Sequence, residues 1–145
     1  MIAAAMRPIA PSPEFPQVAL SETDLLRPSI GLLLSLWQPA LERFHFHLER
    51  LNPRLRYLLP PSLPRHVRFL MRTALRGQRV TLGPGLRRLG ARLRERGFEL
   101  SDLDMLGAAW LAALEDVLGE RLTTPAREEW VKLYRVARPA LGGMS

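Results

Sequence analysis

"LRRLGARLRERGFELSDLDMLGAAWL" runs from Leu86 to Leu111. Leu86, Leu89 and Leu93 recur at helical spacing, and Gly97 closes the series. A second apolar series, Leu103, Leu106, Ala109 and Trp110, follows the polar residues Ser101 to Asp104. The stretch therefore predicts two helices joined by a short turn, with Ser101 as the cap of the second and Asp104 three residues on. Leu93 lies on the apolar stripe of the first helix, where a core residue belongs.

The same period extends in both directions. Toward the N-terminus, Val67, Leu70, Met71 and Ala74 predict the buried face of a helix over about Leu63 to Arg76. Arg65, Arg68, Arg72 and Arg76 form its opposite stripe, and Gly77 can stop it. Leu41, Phe44, Leu48 and Leu51 predict another helix over Gln38 to Leu51, with Pro39 in its first turn. Pro53, Pro60 and Pro61 bracket a short helical turn between these two. The first helix is expected to open at Ser21 or Thr23, with Pro28 bending or delaying it. The last is expected to start at Thr124 as cap, with Pro125 first inside, and to face Trp130, Leu133, Tyr134 and Ala137 inward. No run has the period of two that a strand needs. The expected fold is all-α with six or seven helices. Residues 1–20 read as an extended, proline-rich arm, residues 21–141 as the folded domain and residues 142–145 as a tail.

At 145 residues the chain is long enough for one domain with a real core. It has no cysteine, which excludes disulfides, thiolate metal sites and thiol nucleophiles. The longest apolar run, Ile30 to Trp37, falls far short of the ~20 residues that span a bilayer. The prolines of the first twenty residues break up any signal-peptide pattern, so a cytoplasmic protein is expected. Residues 50–96 hold thirteen arginines and a single acid, Glu95, whereas residues 97–145 hold five bases and eight acids. A basic middle invites an anionic partner. With one lysine in the whole chain, Lys132, the arginine excess also reads as a solvated face in an arginine-preferring composition. No phosphate loop, no HExxH and no Ser–His–acid set is present, so an enzyme is not expected.

In order and spacing, "FHFHLERLNPRLRYLL", "LRRLGARLRERGF", "LDMLGAAWLAALEDVLG" and "REEWVKLYRVA" resemble a bacterial globin of the single-domain, flavohaemoglobin-like type, over Leu20 to Leu141. The resemblance makes residues 21–141 a globin-like domain with a haem pocket. It also puts Leu93 where that family carries its iron-binding histidine, and leucine has no lone pair to give. Leu59 stands where the family has a haem-wedging phenylalanine. His45 stands at the distal tyrosine position, and His66 aligns with the distal glutamine or histidine.

Two functional readings follow. In the first, the chain is a globin-fold protein without normal haem ligation, a sensory or protein-interaction module. Its pocket, lined by Leu59, Val67, Leu70, Leu89, Leu93 and Trp110, would take a small apolar ligand such as a fatty acid. In the second, haem b binds with altered ligation through His66 or His45, for oxygen or nitric oxide handling. His66 also reads as a surface histidine on a basic helix. His45 and His47 point about 200° apart on a helix and make no metal pair. A protein partner or second copy is expected on the last two helices. Nucleic acid is not expected, because only Phe69 interrupts the arginine stripe and no nucleic-acid motif accompanies it.

Overall fold

A computed structural model describes residues 16–76 and 82–143, with side chains from residue 26 to 76 and from 83 to 143. Seven α-helices account for nearly all of these residues, and no strand occurs among them. They are α1 (Pro16–Ser35), α2 (Trp37–Leu51), α3 (Pro53–Leu58), α4 (Leu63–Leu75), α5 (Leu82–Glu95), α6 (Leu100–Leu118) and α7 (Thr124–Leu141), with a 3₁₀ turn, Gly119–Arg121, before α7. Among the described residues no helix is long and apolar enough to cross a membrane.

Most helix boundaries lie within a residue or two of their sequence signals, and the differences have local causes. α1 begins at Pro16 rather than at Ser21 or Thr23 and continues through Pro28. Proline is well suited to a first helical turn, where its missing N–H has no partner to lose. Residues 1–15 of the expected arm, the 77–81 connection and residues 144–145 of the tail lie outside the described residues. α6 starts one residue before the expected Ser101 cap. Phe98 is buried, Gly97 turns the chain at φ 102°, and Asp102 accepts the Glu99 backbone N–H at 2.9 Å. That carboxylate, rather than Asp104, holds the first turn. α7 is capped by Thr123, whose hydroxyl accepts the Ala126 N–H at 3.2 Å, one residue ahead of the expected Thr124.

α2 packs most extensively on α6, α5 lies against α7, and α1 crosses both α4 and α7. α4 and α5 form a neighbouring pair. The α5–α7 approach is close enough that a Cβ on Gly90 would fall 2.0 Å from the Leu141 carbonyl oxygen, so this position admits only glycine at this spacing. The Arg94 guanidinium also donates to that carbonyl.

Two groups of buried side chains fill the interior. One gathers Phe44, Leu48, Leu55, Leu89, Leu93 and Leu103. The other gathers Leu26, Ile30, Leu33, Trp37, Leu114 and Trp130. Edge-on ring contacts join them: Trp110 meets Trp37 at 5.9 Å and Phe44 at 5.8 Å between centroids. Such T-shaped pairs place the positive edge of one ring on the negative face of another. The Trp130 indole donates to Ser29 Oγ at 2.9 Å, and Ser29 in turn donates to the Leu26 carbonyl, so both buried polar groups are satisfied.

Candidate ligand cavity

The two core groups do not close completely on each other. Between α2, α4, α5, α6 and α7, with Ile30 of α1 at its edge, lies a partly open cavity of about 520 Å³. α4 contributes Val67, Leu70 and Met71 to its wall, α5 contributes Leu86, Leu89 and Leu93, and α6 contributes Trp110. The volume is that of an ordinary small-molecule site, and almost the whole surface is hydrocarbon. An apolar cavity of this kind gains by accepting an apolar guest, because its lining atoms lack dispersion partners on one side.

Of the residues singled out from the sequence, His45, Val67, Leu70, Leu89, Leu93 and Trp110 meet at this cavity. Leu59 and His66 do not line it. Leu59 ends α3 in an extended conformation and packs, half-buried, on the outside of the first core group. His66 lies on α4 beside Val67, with its ring turned from the cavity and its Nδ1 buried without a hydrogen-bond partner.

The surroundings of both imidazoles favour the neutral ring. Burial lowers the His66 pKa, and the positive charges of Arg92, Arg88 and Arg65 lower it further. His45 is lowered mainly by burial and then by Arg56, with Glu49 acting in the opposite sense. His47, on the other side of α2, makes a 2.6 Å contact from Nε2 to Asp116 Oδ2, which Arg43 also meets at 2.8 Å. His45 and His47 therefore serve different surroundings. Among the described residues no three His, Asp or Glu side chains gather as a metal-binding group.

The α5 side of the cavity decides whether the residues present fit a haem. Leu86, Leu89 and Leu93 offer only methyl and methylene groups there, and Leu93 is 1% exposed. No lone pair faces the cavity from these side chains, so the wall does not fit a histidine-ligated haem on that side. His45 is the one imidazole in the wall, and it stands on α2.

At the α6–α7 end the cavity meets a polar cluster that sequence reasoning missed. The Arg138 guanidinium grips Asp104 through two contacts, Nε to Oδ1 at 2.6 Å and the terminal nitrogen to Oδ2 at 2.9 Å. The Tyr134 hydroxyl lies 2.9 Å from both the Leu103 carbonyl and Asp104 Oδ1. Arg138 and Tyr134 hold the Asp104 carboxyl below the usual carboxylate range, and burial beside Asp104 pushes the Tyr134 phenol well above the usual tyrosine value. The four-residue spacing of Tyr134 and Arg138 places them on one helix face, but their partner is about thirty residues away in sequence and no local pattern announces it. Gly107 admits the Tyr134 ring, since a Cβ there would lie 2.9 Å from it.

No protein-family model matches the sequence, and no curated protein matches it.

Proposed function

We propose that this chain is a globin-like helical domain that binds a small apolar ligand where haem-binding globins hold haem, and works as a cytoplasmic sensory or interaction module rather than an enzyme. One observation carries the reading: Leu93, at the position where the globin resemblance calls for an iron ligand, is a fully buried part of the wall of a hydrocarbon-lined cavity of about 520 Å³. The helix order supports it as well, with α2 on α6, α5 on α7 and the cavity between α4 and α5. The last two helices are the proposed contact for a protein partner or second copy.

The test is a haemin titration of the purified protein followed by absorbance, beside a Leu93→His variant. Wild type should show no sharp Soret band and the variant should gain one. The apolar fluorophore N-phenyl-1-naphthylamine should bind wild type with a rise in emission, and haemin should displace it from Leu93→His. Stoichiometric haem with a defined Soret band in wild type would overturn the proposal, and His45→Ala and His66→Ala would then identify the ligand.

A further inference from the structure

α4 has two faces with different chemistry. Its inner face, Val67, Leu70 and Met71, belongs to the cavity. On its outer face the arginine stripe is not the one the sequence suggests. Arg68 leaves the row: its guanidinium packs 5.7 Å from the Trp37 ring centroid and its Nε is buried. Phe69 takes its place. Arg65, Phe69, Arg72 and Arg76 are all exposed, and Phe69 is 52% exposed. Their spacing of four, three and four residues confines them to an arc of about 60°, along roughly 16 Å of helix. An aromatic ring in water is thus flanked by guanidinium groups on both sides.

Among the described residues these charges have no carboxylate partner. Arg43, Arg56, Arg127 and Arg138 each pair with a carboxylate. Among the described residues no ion pair involves Arg65, Arg72, Arg76, Arg88 or Arg92, although Arg92 donates to Ser62 Oγ at 3.4 Å. Arg92 of α5 reaches Ser62 at the start of α4, and Arg88 lies one turn earlier on α5, both exposed beside the Arg65 end of the row.

We infer that the outer face of α4, extended by Arg88 and Arg92, docks on an anionic lipid bilayer surface, with the Phe69 ring entering the boundary between headgroups and acyl chains. Each arginine brought to such a surface strengthens binding about fivefold, and the buried ring adds an apolar contribution. The shape favours a planar target. The row is a straight convex helix face with one ring at its middle, whereas a single-stranded nucleic acid needs a groove and a series of rings along its track. The inference does not rest on the cavity reading, because docking uses the outer face of α4 alone. If both hold, α4 is at once the membrane contact and a wall of the ligand site, a short route for an apolar molecule that partitions into lipid.

The experiment uses the full chain and a Phe69→Trp variant, with phosphatidylcholine vesicles that contain roughly one-third phosphatidylglycerol, against vesicles of phosphatidylcholine alone. The added indole should shift its emission to the blue and be quenched by brominated acyl chains on anionic vesicles only. The wild-type signal from Trp37, Trp110 and Trp130 is subtracted. A triple variant, Arg65→Gln, Arg72→Gln and Arg76→Gln, should lose on the order of 100-fold in vesicle affinity. These side chains are exposed and, among the described residues, outside any ion pair, so its circular dichroism and thermal midpoint should match wild type. A second triple variant of equal net charge, Arg50→Gln, Arg121→Gln and Arg127→Gln, should lose only a few-fold. Equal losses in the two triple variants, or emission from the Phe69→Trp indole that anionic vesicles leave unchanged, would overturn the inference. So would quenching of that emission by an oligothymidylate but not by vesicles, which would assign the face to nucleic acid instead.

Discussion

Replacing Leu93 by alanine tests the cavity without any knowledge of its guest. Leu93 and Leu48 are both fully buried leucines of the same core group, at 1% and 0% exposure. They differ in one respect: Leu93 borders the cavity and Leu48 does not. Removing three carbons from either costs about 2.4 kcal/mol in lost transfer free energy, at ~0.8 kcal/mol each. At Leu48 the new void is enclosed by packed atoms, and the added cavity term brings the total to about 4 kcal/mol. Leu93 is as tightly enclosed as Leu48, but the void left by its truncation joins the neighbouring pocket, which water or an apolar guest can enter, so the total stays at about 2–3 kcal/mol. For a chain of this size that is a fall of roughly 5–10 °C in the unfolding midpoint. Urea unfolding followed by far-ultraviolet circular dichroism, on Leu93→Ala and Leu48→Ala in parallel, gives both values. If Leu93→Ala costs as much as Leu48→Ala or more, the new void stays sealed from the pocket and Leu93 is no part of a ligand site.

Other contacts make equally definite expectations. Ser29→Ala removes the acceptor of the buried Trp130 indole N–H and should destabilise the fold by about 1–3 kcal/mol in the same assay; a change within error means that water replaces the hydroxyl. A mid-helix glycine normally gains about 0.5–1 kcal/mol on change to alanine, but Gly90→Ala should reverse that sign, because its Cβ meets the Leu141 backbone. A stabilised Gly90→Ala protein would show that α5 and α7 are farther apart. The Asp116 carboxyl is held below its ordinary range by the His47 hydrogen bond and by Arg43. Its stabilisation is therefore present above the unfolded carboxylate pKa and is lost as pH falls through the lower folded value. Asp116→Asn should cost about 1 kcal/mol or less at neutral pH, given the exposure of the cluster, and nothing in strong acid. A cost that persists in acid would assign it to packing instead. In an alkaline absorbance titration Tyr134 should ionise above the ordinary tyrosine value, and Tyr134→Phe should remove that late phase; loss of an earlier phase instead would contradict the buried contact with Asp104.

The features of this chain that are local and periodic were legible in its residues. The 3.6-residue recurrence of leucines, the prolines and glycines at element ends and the absence of any two-residue alternation were enough for an all-α chain with most helices near their observed bounds, α1 excepted, which takes in residues 16–20 of the expected extended arm. The same periodicity put Val67, Leu70, Leu89, Leu93 and Trp110 each on the inward stripe of its own helix; a pocket shared between them was implied by the globin resemblance and not by any spacing, and it is the packing of the helices that brings them to one space. What lay beyond it depends on distances between helices. Leu59 and His66 sit close in sequence to core or cavity positions, but Leu59 packs on the outside of the first core group and His66 stands off the Val67–Leu70 stripe of α4. Arg68 and Phe69 exchange roles because Trp37, far earlier in the chain, offers its ring to one of them. Asp104, Tyr134 and Arg138 become a cluster only where α6 meets α7. Whether the two halves of the core fill the space between them was likewise a tertiary matter. A helix stripe states which side chains turn inward, but the volume left over is set by how closely the helices approach, at contacts such as Gly90 on Leu141 and Gly107 on Tyr134.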